Sequence, residues 1–333
     1  MPGSVDSNSP VVADLSDGQA ILNIVTSWGG QPSLASGPSL TLMGPPALVG
    51  FESHPGGGLW MESIVVDDAG TWYGYYHNEV PATLCNRPDR ALPRIGAARS
   101  RDRGRTWEDL GIILEAPPGW QACATPNRYV VGGVGDVDAV LDRDVTYLYL
   151  FFSQYSQPST AQGVAVARMP WASRDNPIGR ADIWVDGIWQ PAQSIVIDES
   201  TVIGNEDHEP HLSWIYPAGT PLVRPTHPWH DADRVNDAFW GASLHWNNFL
   251  GQYVMVLNRA KDEAFAQEGI YVSFAPSLDD PSLWSPPQRI LQGGQWYPQV
   301  VSLVPSQGPG IEADARARFF MGGTSTFYID FER

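Results

Sequence analysis

One unit recurs along this chain: a polar or aromatic head, a short run of alternating apolar residues, a turn, then an aromatic-rich strand. In the clearest copy, residues 60–66 and 71–77 flank the turn Asp67-Asp-Ala-Gly70, and an Asp-rich turn ending in Gly between two such runs predicts a hairpin. Further heads stand at Gly135, Glu209, Phe239 and Trp296. The outer halves are also alike: residues 96–102 precede Trp107, 164–175 precede Trp184, and 270–279 precede Trp284, each reading as strand, Ser-x-Asp turn, tryptophan, strand. Small sheets repeated radially give such a period. The expectation is an all-β, five-bladed β-propeller, with blades of about four antiparallel strands around a central channel. It spans 1–333 as a single domain, with 1–18 as a loose N-terminal segment and 20–45 supplying an outer strand that closes the ring. The unit headed by Glu209 is the shortest, so 205–236 reads as a reduced blade or a long loop.

Composition supports many short strands and restricts partners. The chain of 333 residues holds 33 Gly, 29 Pro and 14 Trp, and 43% of it is hydrophobic, enough for a core. A net charge of −17 with scattered arginines argues against nucleic acid. No apolar run reaches the roughly 20 residues of a membrane helix. The first ten residues lack signal-peptide character, so a secreted or periplasmic chain is expected here without its leader. A monomer is expected. The two cysteines, Cys85 and Cys123, exclude a disulfide-rich scaffold and a four-thiolate zinc site; a bridge between them and two buried thiols are both open.

The segment Ser100-Arg-Asp-Arg-Gly-Arg-Thr-Trp107 matches the Asp-box pattern S-x-D-x-G-x-T-W. Its physics is local: Asp caps turn amides, Gly takes a conformation closed to other residues, and Trp packs between blades, so the motif marks architecture and not catalysis. The strand heads carry the chemistry, because inner strands converge on the channel mouth. Glu62, Asp136, Asp138 and Glu209 stand there, with His211 two residues beyond the last. Glycoside hydrolysis needs two carboxyl groups flanking the scissile bond, and crowded acids push their pKa values apart into acid and base roles. Second strands return to the same rim, bringing His77, Glu79, Asn258 and Arg259 beside Trp60, Trp240, His245, Trp296, Tyr297 and Gln299. Aromatic faces with forked hydrogen-bonding groups make sugar subsites. No cofactor is required on this reading. Calcium on the channel axis, faced by His245, Asp138 or Glu209, is a structural candidate, and no nucleotide loop, zinc motif or nucleophile elbow is present.

The run Asp136-Val-Asp-Ala-Val-Leu-Asp142 followed by Tyr147-Leu-Tyr-Leu resembles the D-P-x-V-x-x-D…Y-Y-L inner hairpins of glycoside hydrolase family 43, the five-bladed arabinanase and xylosidase family. Glu209-Pro-His-Leu resembles its E-G-P-H acid motif, without the glycine. The resemblance implies a glycosidase acting on a pentose-containing glycan such as arabinan or xylan, with Glu62 as base, Asp136 as pKa modulator and Glu209 as acid. Two other readings stay open: a noncatalytic, lectin-like propeller, and a sialidase-like enzyme suggested by the Asp box.

Overall fold

Alternation of side chains across each strand decides how the sheets pack. In Tyr147–Gln154, Leu148, Leu150 and Phe152 join Tyr75, Ile95 and Ile113 on one face. Tyr149 and Phe151 join Leu244, Met255 and Trp284 on the other. A sheet apolar on both faces needs a neighbour on each side, and a ring of sheets supplies one.

That ring is present in the computed structural model, which describes residues 1–14, 20–53, 55–117, 119–156, 159–197, 211–227, 229–230, 232–303 and 312–333. Five sheets surround an axis, forming the five-bladed propeller that the resemblance implied. Blade one is Val11–Asp14, Ile21–Trp28, Gln31–Gly37 and Ala47–Leu48. Blade two is Gly58–Val66, Trp72–Ala82, Arg87–Ser100 and Thr106–Leu114, with Gly50–Phe51 on its outer edge. Blade three is Val134–Leu141, Tyr147–Gln154, Gly163–Pro170, Asp182–Val185 and Ile188–Pro191. Blade four is Phe239–Asn247, Gln252–Ala260, Gln267–Ala275 and Gln288–Gln292, with Glu312–Ala313 pairing parallel to its innermost strand. Blade five is Gln299–Ser302, Arg316–Met321 and Thr324–Asp330.

The number of blades agrees with the sequence, but their membership does not. Residues 20–45 do not lend a strand to another sheet; with Val11–Asp14 they build blade one. The unit headed by Glu209 does not build a blade among the described residues: there His211–Ile215 pairs only with Gln193–Ile197, in a two-stranded sheet between blades three and four in the chain. The start of the chain is seated and not loose. Ser7, Asn8 and Ser9 are buried, Asn8 Nδ2 donates to Ala242 O at 3.1 Å, and the Gln299 amide accepts from Ser9 N at 3.2 Å and donates to Ser9 O at 2.7 Å. This polar segment ties blade one to blades four and five.

Outer turns lock blade to blade. In the Ser100–Trp107 turn, Asp102 Oδ1 accepts from Thr106 N at 2.8 Å and Arg105 N at 3.1 Å, and Oδ2 accepts from Thr106 Oγ1 at 2.7 Å. Burial raises the Asp102 pKa, but these bonds outweigh it and the net shift is downward. Gly104 takes φ +81°, open to glycine, so its carbonyl can receive Trp107 Nε1 at 3.0 Å. The Ser-x-Asp turns of blades three and four reach the preceding blade: Tyr73 Oη donates to Asp175 at 3.0 Å, and Tyr149 Oη donates to Asp279 at 2.6 Å. Cys85 and Cys123 are bonded to each other, pinning the chain that leads to Tyr129 and Val130.

Candidate active site

The innermost strands of blades two, three and four each carry a β-bulge near their heads: between Met61 and Ser63, between Gly135 and Asp138, and between Trp240 and Ser243. A bulge re-aims the extra side chain out of the sheet. The bulges present Glu62 in blade two, Asp136 in blade three and Gly241 in blade four. Asp136 and Gly241 take the same left-handed backbone, φ +43° and +57°. That conformation is ordinary for glycine and strained for an aspartate, as at other functional sites. Phe265 and Tyr297, at φ +56° and +55°, line the same cavity.

The cavity has a volume of about 200 Å³. Its carboxyl groups come from Asp6, Glu62, Glu79 and Asp136, with His77 among them. Its walls are Trp60, Tyr129, Val130, Tyr155, Trp240, Phe265, Trp296 and Tyr297. The aromatics meet edge to face, with centroids 5.5 Å apart for Trp240 and Trp296, 5.6 Å for Trp240 and Tyr297, and 5.7 Å for Tyr129 and Trp296. Trp296 Nε1 donates to Phe265 O at 2.8 Å, which fixes its ring.

Glu62, His77 and Asp136, all buried, offer ligating atoms within 4.8 Å of one another. Two phenols hold Asp136: Tyr155 Oη donates to Oδ2, and Tyr297 Oη donates to Oδ1 at 3.3 Å. Burial first, then the charge of Asp136, keep both phenols well above the usual tyrosine range, so they stay donors. The Asp136 N–H donates to His77 Nδ1 at 2.9 Å, and Nε2 lies 3.3 Å from Glu79 Oε1; a neutral ring protonated at Nε2 satisfies both. Burial lowers the His77 pKa, but the bond to Glu79 and the charges of Asp136 and Glu79 raise it more.

Burial raises the pKa values of both Glu62 and Asp136. Glu62 goes well above its usual range, through desolvation and then the charge of Asp136. Asp136 is raised by burial but opposed by His77 and the phenols. Phenol donors occupy both Asp136 oxygens while Glu62 Oε2 has no partner among the described residues, so hydrogen bonding places a proton shared by the pair on Glu62. Glu62 and Trp240 line the cavity, and their Oε2 and Nε1 atoms are buried without a hydrogen-bond partner among the described residues. Asp6 accepts from Trp60 Nε1 at 2.7 Å and from Gly29 N at 3.1 Å; its pKa is raised by burial.

Of the residues anticipated from sequence, Glu62, Asp136, Trp60, His77, Glu79, Trp240, Trp296 and Tyr297 meet in this cavity. Others are engaged elsewhere. Asp138 lies between inner strands, accepting from Ser63 Oγ at 3.0 Å and Leu244 N at 2.5 Å. Asn258 Nδ2 donates to Gly241 O at 3.5 Å and its Oδ1 accepts from Gln267 at 2.5 Å. Arg259 pairs with Asp237 at 3.3 Å, and Gln299 is spent on Ser9. His245 is buried against Phe331, and burial lowers its pKa to about 3. Glu209 lies outside the described residues, and His211 begins the second strand of the two-stranded hairpin, opposite Ile197. Of the residues named for an axial calcium, Asp138 accepts a hydrogen bond on each carboxylate oxygen, His245 is buried and offers nitrogen, and Glu209 lies outside the described residues.

Five lining residues were missed, Val130 among them. Asp6 sits in a polar stretch that reads as a tail, although Pro10-Val-Val-Ala-Asp14 after it signals a strand. Tyr155 follows the second strand of blade three by one residue, at the rim already assigned to His77 and Glu79. Tyr129 and Phe265 arrive on loops without periodicity.

Solved structures share the fold. An endo-arabinase from Bacteroides thetaiotaomicron VPI-5482 aligns over 100% of this chain and 97% of its own, with TM-score 0.53 and 10% identity. An exo-β-1,3-galactanase from Phanerochaete chrysosporium aligns over 99% of this chain and 61% of its own, with TM-score 0.53 and 9% identity. At such identity the likeness is one of fold. No protein-family model matches the sequence, and no curated protein matches it.

Proposed function

We propose that this propeller is a glycoside hydrolase in which Glu62 is the general acid and Asp136 the charged partner. The observation that carries the reading is the pair itself: two buried carboxyl groups with oxygens within 4.8 Å at the base of an aromatic cavity, one free to hold a proton and one braced by phenols. The separation favours retention, since inverting pairs stand about 6.5–9.5 Å apart to admit a water. Glu62 protonates the departing oxygen while Asp136 attacks the anomeric carbon. The glycosidic C–O bond breaks as a C–O bond to Asp136 forms. Water, deprotonated by the Glu62 carboxylate, then releases the sugar and returns the proton to Glu62. Roles thus differ from those the family resemblance implied, because blade one begins upstream of Glu62.

The substrate class is supported by the endo-arabinase and exo-galactanase of like fold, so arabinan, xylan and galactan are the first glycans to try. The sialidase reading lacks a clamp, since no arginine stands among the described lining residues. The Cys85–Cys123 bond supports an oxidising compartment, hence export, and the chain is taken as a monomer. Glu62→Gln and Asp136→Asn should each lower turnover of a cleaved glycan about a thousandfold, with the product anomer from the wild type retained by NMR. Near-normal turnover in both variants would remove the assignment, and binding without cleavage across the panel would favour the lectin-like reading.

A further inference from the structure

The cavity is asymmetric in charge. Four carboxyl groups face one imidazole, and neither lysine nor arginine stands among the described lining residues. Catalysis as proposed uses Glu62 and Asp136, which leaves Asp6 and Glu79 without a role in it. These two feel each other: the charge of Glu79 adds to burial in raising the pKa of Asp6. Trp60 stands between them, its indole N–H on Asp6 and its ring 5.5 Å from that of His77, which in turn reaches Glu79. A neutral sugar would leave this repulsion in place, whereas a cation would relieve it, and aromatic walls favour a cation further. A second observation is independent of charge: Glu62 and Trp240, 3% and 2% exposed, both line the cavity, and Glu62 Oε2 and Trp240 Nε1 have no hydrogen-bond partner among the described residues.

We propose that the cavity takes a cationic sugar, an amino sugar with a free ammonium group seated by Asp6 and Glu79 beside Trp60. The inference rests on the carbohydrate reading above and narrows it: the ring of the sugar lies against the aromatic wall, over the Glu62 and Asp136 pair. N-acetylation removes the charge and enlarges the group, so it should abolish the preference.

The test is calorimetric titration of the full chain with glucosamine against glucose and galactosamine against galactose, with the N-acetyl forms alongside. In at least one pair the amine should bind tenfold or more tightly at low salt, with the advantage shrinking as salt rises. Glu79→Gln and Asp6→Asn should each remove most of that advantage while both variants keep a normal thermal midpoint. Equal or weaker binding of both amines, or an advantage untouched by either substitution, overturns the inference. Binding of tetramethylammonium alone, with both amines failing, overturns its sugar part. Cleavage of a neutral glycan with no amine preference sinks the inference and leaves the hydrolase standing; amine-selective binding without cleavage of any glycan does the reverse.

Discussion

Asp138 shows how a residue can look catalytic in sequence and be structural in the fold. Two positions after Asp136 on an inner strand, it is an acid at the channel, but the bulge ends before it and turns it between blades. Burial pushes its pKa up to about 7. When protonated, it can donate to Ser63 Oγ, which donates onward to Ala139 O at 3.0 Å, while its other oxygen accepts from Leu244 N. A folded pKa above the unfolded value means stability present below the unfolded pKa of 3.8 and lost as pH rises through about 7. Asparagine can make the same bonds without titrating. The advantage of Asp138→Asn in thermal midpoint should therefore grow from pH 5 to pH 8, with turnover kept within a few-fold; an advantage that failed to grow over that range would refute this account. Gly135→Ala should act on the site instead. An added Cβ would lie 2.4 Å from His77 Nδ1, displacing the ring from the Asp136 N–H. Turnover should drop at least tenfold with folding retained, read by kinetics beside circular dichroism.

At the scale of strands and turns, repetition was legible and its inter-blade use was not. The heads at Trp60 and Gly135 were readable because β-branched and aromatic residues alternate on both sides of an Asp turn. The bulges were invisible, since an extra residue in a strand leaves no compositional mark, yet they decide that Glu62 and Asp136 enter the cavity. The Ser-x-Asp turns read as local caps, and Asp175 and Asp279 also serve as acceptors for Tyr73 and Tyr149 of the preceding blades. Tyr73→Phe and Tyr149→Phe should each cost about 1 kcal/mol in urea unfolding. The sites lie in different blade junctions, so the double variant should cost about their sum. A null effect in both would assign the bonds no weight.

For the molecule as a whole, the sequence supported a ring but misplaced its seam. Polar residues at the chain start look like a tail because they lack apolar alternation, whereas in the fold they are buried by pairing with Ala242 and Gln299. The Glu209 unit mimics a head through Pro-His-Leu, but too few residues separate it from Phe239 to hold a sheet. Cross-linking is also a matter of the whole chain. The Cys85–Cys123 bond closes a loop over a sequence separation of 38, and replacing both cysteines by serine should cost about 3–4 kcal/mol of stability, measured by denaturant unfolding under oxidising conditions. No loss would place the bond outside the folding equilibrium. Finally, Ser9 waits for a partner 290 positions downstream. Within the cavity, Asp6 is held by the nearby Gly29 and Trp60, whereas Trp296 and Tyr297 are supplied only just ahead of blade five. Acquisition of ligand affinity therefore dates the moment the circle shuts, and a nascent chain halted before blade five should have none.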